Sequence, residues 1–148
     1  MQTSSQRVVG VIVAIARVGL GILFAYAAVE KLQDLPGLAE DIANYRMLPA
    51  ALVGPLTVVL PGVELTAAAL LIVGYWARAA AAVTAGMLAV FMVALSQALA
   101  RGVDLNCGCF GSGVEPATIG TIVRDAALLC AACGVIVFDG GRFLPPET

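Results

Sequence analysis

Residues 79–100 read AAAAVTAGMLAVFMVALSQALA and contain no charged side chain. At a rise of about 1.5 Å per residue, a helix of this length crosses the roughly 30 Å hydrocarbon core of a bilayer. The run shows no alternation of period two, which a barrel strand would need, and a helix satisfies its own backbone groups in lipid. The stretch therefore predicts a transmembrane helix.

Three further apolar stretches have a similar length: residues 8–29, 50–73 and 117–138. The first is interrupted only by Arg17, which, together with its length, argues against a cleaved signal peptide. We therefore expect an all-α membrane protein. It would be a four-transmembrane-helix bundle with both termini on the same side and a single domain over residues 1–148.

The composition supports this class and excludes others. The chain is 61% hydrophobic and 12% charged, whereas soluble domains are about 45–50% apolar and about 25% charged. The net charge is −2 and there is no basic run, so we expect no nucleic-acid partner. There is no histidine, which leaves cysteine, carboxylate, amide and hydroxyl groups for any chemistry.

Two links between the apolar stretches are long and polar. In residues 30–49, Leu38, Ile42 and Tyr45 recur at helical spacing and predict a short interfacial helix. Residues 101–116 carry two cysteines and several glycines. Positive charges are balanced between the two sides of the predicted bundle, so charge does not decide its orientation.

Charged side chains inside the apolar stretches form a second candidate site. Arg17 and Glu64 fall at the same predicted depth in antiparallel helices, which predicts an ion pair. Arg124 and Asp125 lie nearer the opposite face, and all four residues are expected to form one intramembrane polar cluster. Its role is either to fix the helix register or to serve as a proton path or a binding site for a quinone head group.

The cysteines are the main candidates for chemistry. A disulfide between Cys107 and Cys109 would close a small strained ring across one glycine, and strained disulfides are easily reduced. The pair therefore indicates a thiol–disulfide exchange site; the alternatives are a soft-metal site and a static disulfide or idle thiols. Cys130 and Cys133 are expected to pack as small apolar residues, and the alternative is a second redox pair.

The chain also carries a pattern of spaced residues: Arg17-x-x-x-Gly21, Phe24, Lys31-Leu32-x-Asp34, Asn44-Tyr45, Leu48-Pro49, Leu60-Pro61-x-x-Glu64-Leu65, Arg101-Gly102, Cys107-Gly108-Cys109-Phe110-Gly111 and Arg124-Asp125. This pattern resembles the MauE family of methylamine utilisation proteins, within the broader DoxX-like membrane group. The resemblance covers nearly the whole chain. One departure is Ala27-Ala28-Val29-Glu30, where the family pattern has a glycine before the lysine.

The resemblance implies a protein of the cytoplasmic (inner) membrane that assists maturation of methylamine dehydrogenase. The small subunit of that enzyme is rich in disulfides and is assembled outside the cytoplasm. The implied partners are a thioredoxin-like MauD-type protein and a secreted or periplasmic client with cysteines. The family role would fall on Cys107 and Cys109, on the extracytoplasmic face, with both termini inside.

These observations together predict a lipid-embedded protein that supports thiol–disulfide exchange, and a thiol–disulfide oxidoreductase is the candidate enzyme class. A quinone is a candidate cofactor that would accept the electrons. The alternatives are a membrane transporter of soft-metal ions such as Cu or Hg, and a non-catalytic subunit that docks a thioredoxin-like partner. No metal ligand is assigned.

Overall fold

The computed structural model describes residues 4–102 and 118–139. In that part of the chain the regular elements are helices: α1 Ser4–Gln33, α2 Leu35–Asn44, α3 Ala50–Val73, α4 Ala77–Ala100 and α5 Ile119–Phe138. By length and composition, α1, α3, α4 and α5 could each cross a membrane. The predicted all-α fold with four transmembrane helices is confirmed, whereas the side that holds the termini stays a prediction.

Helix α2 is the short helix predicted in the first polar link. The Asp34 side chain caps it, because its Oδ1 accepts a hydrogen bond from the Gly37 backbone N–H at 3.0 Å. Pro36 stands in the first turn, where a missing N–H removes no helical hydrogen bond. Leu38 is buried, so α2 is held to the bundle by its apolar face.

A tight turn joins α3 to α4. Gly74 ends α3 in the left-handed region, at φ +84°, and its N–H donates to the Leu70 carbonyl oxygen at 2.8 Å. A side chain at this position would also collide with the Arg17 guanidinium of α1. Tyr75 and Trp76 follow, with stacked rings whose centroids lie 5.5 Å apart. Glycine is favoured here by the left-handed backbone, and a larger residue would also displace the Arg17 guanidinium.

The core lies where α1 packs on α3 and α4 packs on α5. It is formed by Leu20, Phe24, Ala68, Leu71, Ala80, Ala81, Leu88, Ala132 and Val135. Small residues allow close approach: a Cβ at Gly21 would lie 2.6 Å from Ile72 Cγ1 and 3.0 Å from the Ala68 carbonyl oxygen. This packing of small side chains is typical of helices in membranes.

Helices α1 and α3 are displaced along their axes. Arg17 lies level with Gly74, at the end of α3, and Gly21 lies level with residues 68–72. The part of α1 before Arg17 therefore extends about 20 Å past the α3–α4 turn, and residues 4–12 are exposed throughout. This displacement decides which charged side chains meet inside the bundle.

Candidate functional site

The centre of the site is a buried ion pair between α1 and α3. Lys31 Nζ lies 2.6 Å from Glu64 Oε1 and 2.8 Å from Oε2. Lys31 is 4% exposed and Glu64 is 2% exposed. On the α4 side, Nζ lies 5.4 Å from the centroid of the Phe91 ring, a cation–π distance. Lys31 thus makes charge-based contacts with two other helices.

The predicted ion pair between Arg17 and Glu64 is wrong. Glu64 pairs with Lys31, and the Arg17 guanidinium lies against Gly74, about 15 Å further along α3. The prediction counts residues from the start of the first apolar stretch and from the end of the second, but α1 is displaced along α3, so equal counts do not give equal depths. Arg17 Nε is buried without a hydrogen-bond partner among the described residues.

A second carboxylate lies on α5. Asp125 is 1% exposed, and its Oδ1 accepts hydrogen bonds from Arg124 Nε at 3.2 Å and Nη2 at 3.1 Å. The Arg124 side chain is 38% exposed. Within the described residues, Asp125 Oδ2 is buried and has no hydrogen-bond partner. Arg124, at the edge of the bundle, therefore satisfies Oδ1 of Asp125, whereas Oδ2 is buried.

The two carboxylates share one small cavity. It has a volume of about 10 Å³ and is lined by Phe24, Ala27, Lys31, Glu64, Leu88, Phe91 and Asp125. We call Lys31, Glu64, Arg124 and Asp125 the polar cluster. The structure thus joins three of the four charged residues expected to form a cluster, adds Lys31 and leaves Arg17 out.

The cavity volume decides what this site can hold. A volume of about 10 Å³ is close to the minimum for one water molecule. Sites for small molecules usually measure roughly 300–1,000 Å³. A quinone head group, one of the ligands considered for the cluster, does not fit in this cavity.

A larger groove lies on the outer side of α3 and α4, with a volume of about 540 Å³. Its walls are almost wholly apolar, and they include Val63, Leu70 and Val83. The Thr66 hydroxyl, also on the wall, donates to the Gly62 carbonyl oxygen at 2.8 Å. The groove therefore suits a hydrocarbon chain better than a polar group.

The cysteines separate into two groups. Cys107 and Cys109 lie outside the described residues, so their pairing and role stay predictions. Cys130 and Cys133 are free thiols on the outer surface of α5. They lie outside the core, because α5 turns Asp125, Ala132 and Val135 inward instead, and their expected packing as small apolar residues stays a prediction. Whether they form a second redox pair stays a prediction.

Metal binding was a further alternative. Among residues 4–102 and 118–139, no three histidine, cysteine or acidic side chains are grouped so that they could hold a metal ion. In the polar cluster, Lys31 occupies the place beside Glu64 that a cation would need. In the described residues, the charged side chains of the polar cluster therefore form ion pairs and not a metal site. Cys107 and Cys109, the residues considered for a soft metal, lie outside the described residues.

Lys31 is the residue that sequence reasoning missed. It lies two residues after the end of the apolar stretch at residues 8–29, within the polar link at residues 30–49. A signal was present, however, because Phe24, Ala27 and Lys31 recur at i, i+3 and i+7 and so share one helix face. All three line the cavity in the structure.

Comparison with known proteins gives the family. The sequence model of "Methylamine utilisation protein MauE" matches residues 9–138. The chain is 33% identical over 121 residues to methylamine utilization protein MauE of Paracoccus denitrificans, covering 80% of this chain and 65% of that protein. It is also 33% identical over 127 residues to the Methylorubrum extorquens protein of the same name, covering 84% of this chain and 68% of that protein.

A third relative, methylamine utilization protein MauE of Methylophilus methylotrophus, is 31% identical over 119 residues, which cover 80% of this chain and 63% of that protein. The chain thus spans about two thirds of the length of the curated relatives it matches. No solved structure matches it. The family match at residues 9–138 includes both ion pairs of the polar cluster and nearly all of the four apolar helices. The chain therefore belongs to the MauE family of methylamine utilisation proteins.

Proposed function

We propose that this chain supports thiol–disulfide exchange through Cys107 and Cys109, in the maturation of proteins of the methylamine utilisation system. The observation that carries the proposal is a Cys-Gly-Cys sequence in the link between α4 and α5 of a MauE-family chain. Two thiols separated by one glycine form a strained and easily reduced disulfide. Such a bond suits exchange better than structural cross-linking.

The exchange step needs no external oxidant beyond the partner. A thiolate of one protein attacks the disulfide of the other, which forms a mixed disulfide and releases one thiolate. The second thiol of the attacking protein, once deprotonated, then breaks the mixed disulfide. One dithiol is oxidised, one disulfide is reduced, and two electrons and two protons pass between them. The direction follows from the reduction potentials of the two pairs.

The family suggests the setting for this chemistry. We place the chain in the cytoplasmic membrane, with the link at residues 101–116 on the extracytoplasmic side, where disulfides persist. A thioredoxin-like MauD-type protein would exchange with the cysteine pair, and the disulfide-rich small subunit of methylamine dehydrogenase would be a client. Other secreted proteins with cysteines are clients of the same chemical class.

The proposal is tested by changing the two cysteine pairs separately. Cys107→Ser/Cys109→Ser should abolish client disulfides and growth on methylamine, whereas the matched control Cys130→Ser/Cys133→Ser should preserve both. The Cys107→Ser/Cys109→Ser variant leaves all four apolar helices unchanged, whereas the control replaces two exposed thiols of α5, so the membrane content of each variant is measured against wild type. Loss of metal uptake with intact client disulfides would support a transporter instead, and no effect would support a docking subunit.

The side of the membrane is tested on intact cells. A membrane-impermeant thiol reagent should label Cys107 or Cys109 from outside after mild reduction. The Cys107→Ser/Cys109→Ser protein gives the background that arises from Cys130 and Cys133. Labelling that requires access from the cytoplasm would overturn the oxidative-folding role.

A further inference from the structure

The polar cluster places one lysine between two carboxylates from different helices. Lys31 Nζ bonds both oxygens of Glu64, and Asp125 lines the same cavity as Lys31 and Glu64. Glu64 and Asp125 are 2% and 1% exposed. Either carboxylate can therefore serve as the counter-ion of Lys31 when the other is neutral.

Asp125 Oδ2 is the least satisfied atom of this cluster. It is buried and lacks a hydrogen-bond partner within the described residues, while Oδ1 receives both bonds from Arg124. An unsatisfied buried polar atom costs about 1–3 kcal/mol, and more when it is charged. A proton on Oδ2 or a water molecule that donates to it would remove this cost.

The cavity beside Asp125 has room for such a water. Its volume of about 10 Å³ matches about one probe sphere of water size. The charged residues of its lining are Lys31, Glu64 and Asp125, and the other walls are the apolar side chains of Phe24, Ala27, Leu88 and Phe91. A buried water needs two to four polar partners, and these three side chains can supply them.

We propose that the polar cluster is a proton-binding site, in which one water molecule in the cavity links Asp125 to Glu64 and a single exchangeable proton passes between the two carboxylates. In one state Asp125 is protonated and Glu64 is the counter-ion of Lys31. In the other state Glu64 is protonated, and Asp125 faces the positive charges of Lys31 and Arg124. The site rests on contacts of the described helices and does not depend on the cysteine chemistry.

The transfer balances without any redox partner. The O–H bond of protonated Asp125 breaks and its proton moves to the water, while the water gives one of its own protons to a Glu64 oxygen. No electron is transferred, and the total charge of the cluster is unchanged. Lys31 and Arg124 take no part in the transfer, and their positive charges stabilise whichever carboxylate is negative.

The elements packed around the cavity favour this two-state arrangement. Among residues 4–102 and 118–139, the charged groups around the cavity are Lys31 on α1, Glu64 on α3, and Arg124 and Asp125 on α5, whereas α4 contributes the apolar Leu88 and Phe91. The low polarity strengthens the attraction between Lys31 and each carboxylate. The partly exposed Arg124 side chain lies at the edge of the bundle.

Infrared difference spectroscopy of the full chain in lipid nanodiscs tests this site. We expect a band from the carbonyl stretch of a protonated carboxyl group, whose amplitude changes with pH and whose frequency shifts in D₂O. Asp125→Asn should remove this pH-dependent band. The matched control Asp139→Asn, which removes a carboxylate just beyond the end of α5 and outside the cluster, should retain it.

Two outcomes would overturn the proposal. One is a wild-type protein without any deuterium-sensitive carboxyl band at any pH at which it stays folded, and the other is an identical band in Asp125→Asn. If Asp125→Asn does not fold, Asp125→Glu keeps the carboxyl group and should shift the midpoint of the pH titration. An unchanged midpoint in Asp125→Glu would show that the signal arises elsewhere. These readouts are independent of client disulfides, so they are separate from the test of the cysteine pair.

Discussion

Lys31 and Glu64 show how a charged pair is tolerated inside an apolar bundle. Each charge is removed from solvent, and desolvation is compensated only because both Glu64 oxygens accept bonds from Nζ. The Phe91 ring covers part of the ammonium group. The pair therefore fixes the register of α1 against α3, and its removal should lower the stability of the whole fold.

The first prediction concerns this pair. Lys31→Met should destabilise the bundle by about 3–5 kcal/mol, because it leaves Glu64 buried and uncompensated. Lys31→Met/Glu64→Gln should recover part of the loss, which a double-mutant cycle measures by equilibrium unfolding in detergent. Arg101→Met, which removes an exposed bond to Gln97, is the control and should change stability by less than about 0.5 kcal/mol. Equal stability of Lys31→Met and wild type would contradict the prediction.

At the scale of single residues the sequence was only partly informative. Glu64 and Asp125 were recognisable because charges are rare and functional in membrane helices. Their partner was not, since pairing depends on how far one helix is displaced along another. Local sequence determines each helix, whereas the displacement follows from packing at positions such as Gly21 and Ala68.

At the scale of elements, the contact between α1 and α3 depends on Gly21. The second prediction is that Gly21→Ala destabilises the protein by about 1–3 kcal/mol, because its Cβ would meet Ile72 Cγ1 at 2.6 Å and the Ala68 carbonyl oxygen at 3.0 Å. Gly19→Ala is the matched control on the same helix, since nothing lies within 4 Å of its Cβ. Thermal unfolding of both variants in detergent checks this. The two variants behaving alike would be inconsistent with close packing at Gly21.

The third prediction concerns α2, outside the spanning helices. Partial burial raises the pKa of Asp41, and the nearby Asp34 and Glu40 carboxylates raise it further. The folded state then binds this proton more tightly than the unfolded chain, so stability falls as pH rises from the ordinary pKa through the raised one. Asp41→Asn should flatten that part of the pH dependence of the unfolding midpoint.

A control distinguishes Asp41 from carboxylates in general. Asp139→Asn removes an acidic group beyond the end of α5 and should leave the pH dependence unchanged. A steeper fall in Asp41→Asn than in wild type would show that the sign of the effect is wrong.

The elements themselves were largely predictable from sequence. The predicted stretch at residues 50–73 coincides with α3, since Pro49 and Gly74 are strong boundary signals. Helix α1 is longer than its apolar stretch because no glycine or proline interrupts residues 30–33, and the next stop signal is the Asp34 cap. Hydropathy marks the part of a helix that suits lipid, and backbone chemistry marks where the helix ends.

For the whole molecule, the order of the helices makes a topological prediction. The link that contains α2 and the turn at Tyr75 lie at opposite ends of α3. In a background with all four cysteines changed to serine, Asp34→Cys and Tyr75→Cys should react with an impermeant thiol reagent from opposite sides of the membrane. Labelling of both from one side would show that α3 does not cross.

The displacement of α1 has a consequence for the surrounding lipid. Its exposed apolar residues before Arg17 extend past the Tyr75–Trp76 turn, while aromatic side chains of this kind prefer the headgroup level. The hydrophobic thickness at α1 therefore differs from that at α3 and α4. Such mismatch is relieved when a helix tilts or the bilayer changes thickness locally. The protein should consequently impose an uneven thickness on its annular lipids and partition between membranes according to their thickness.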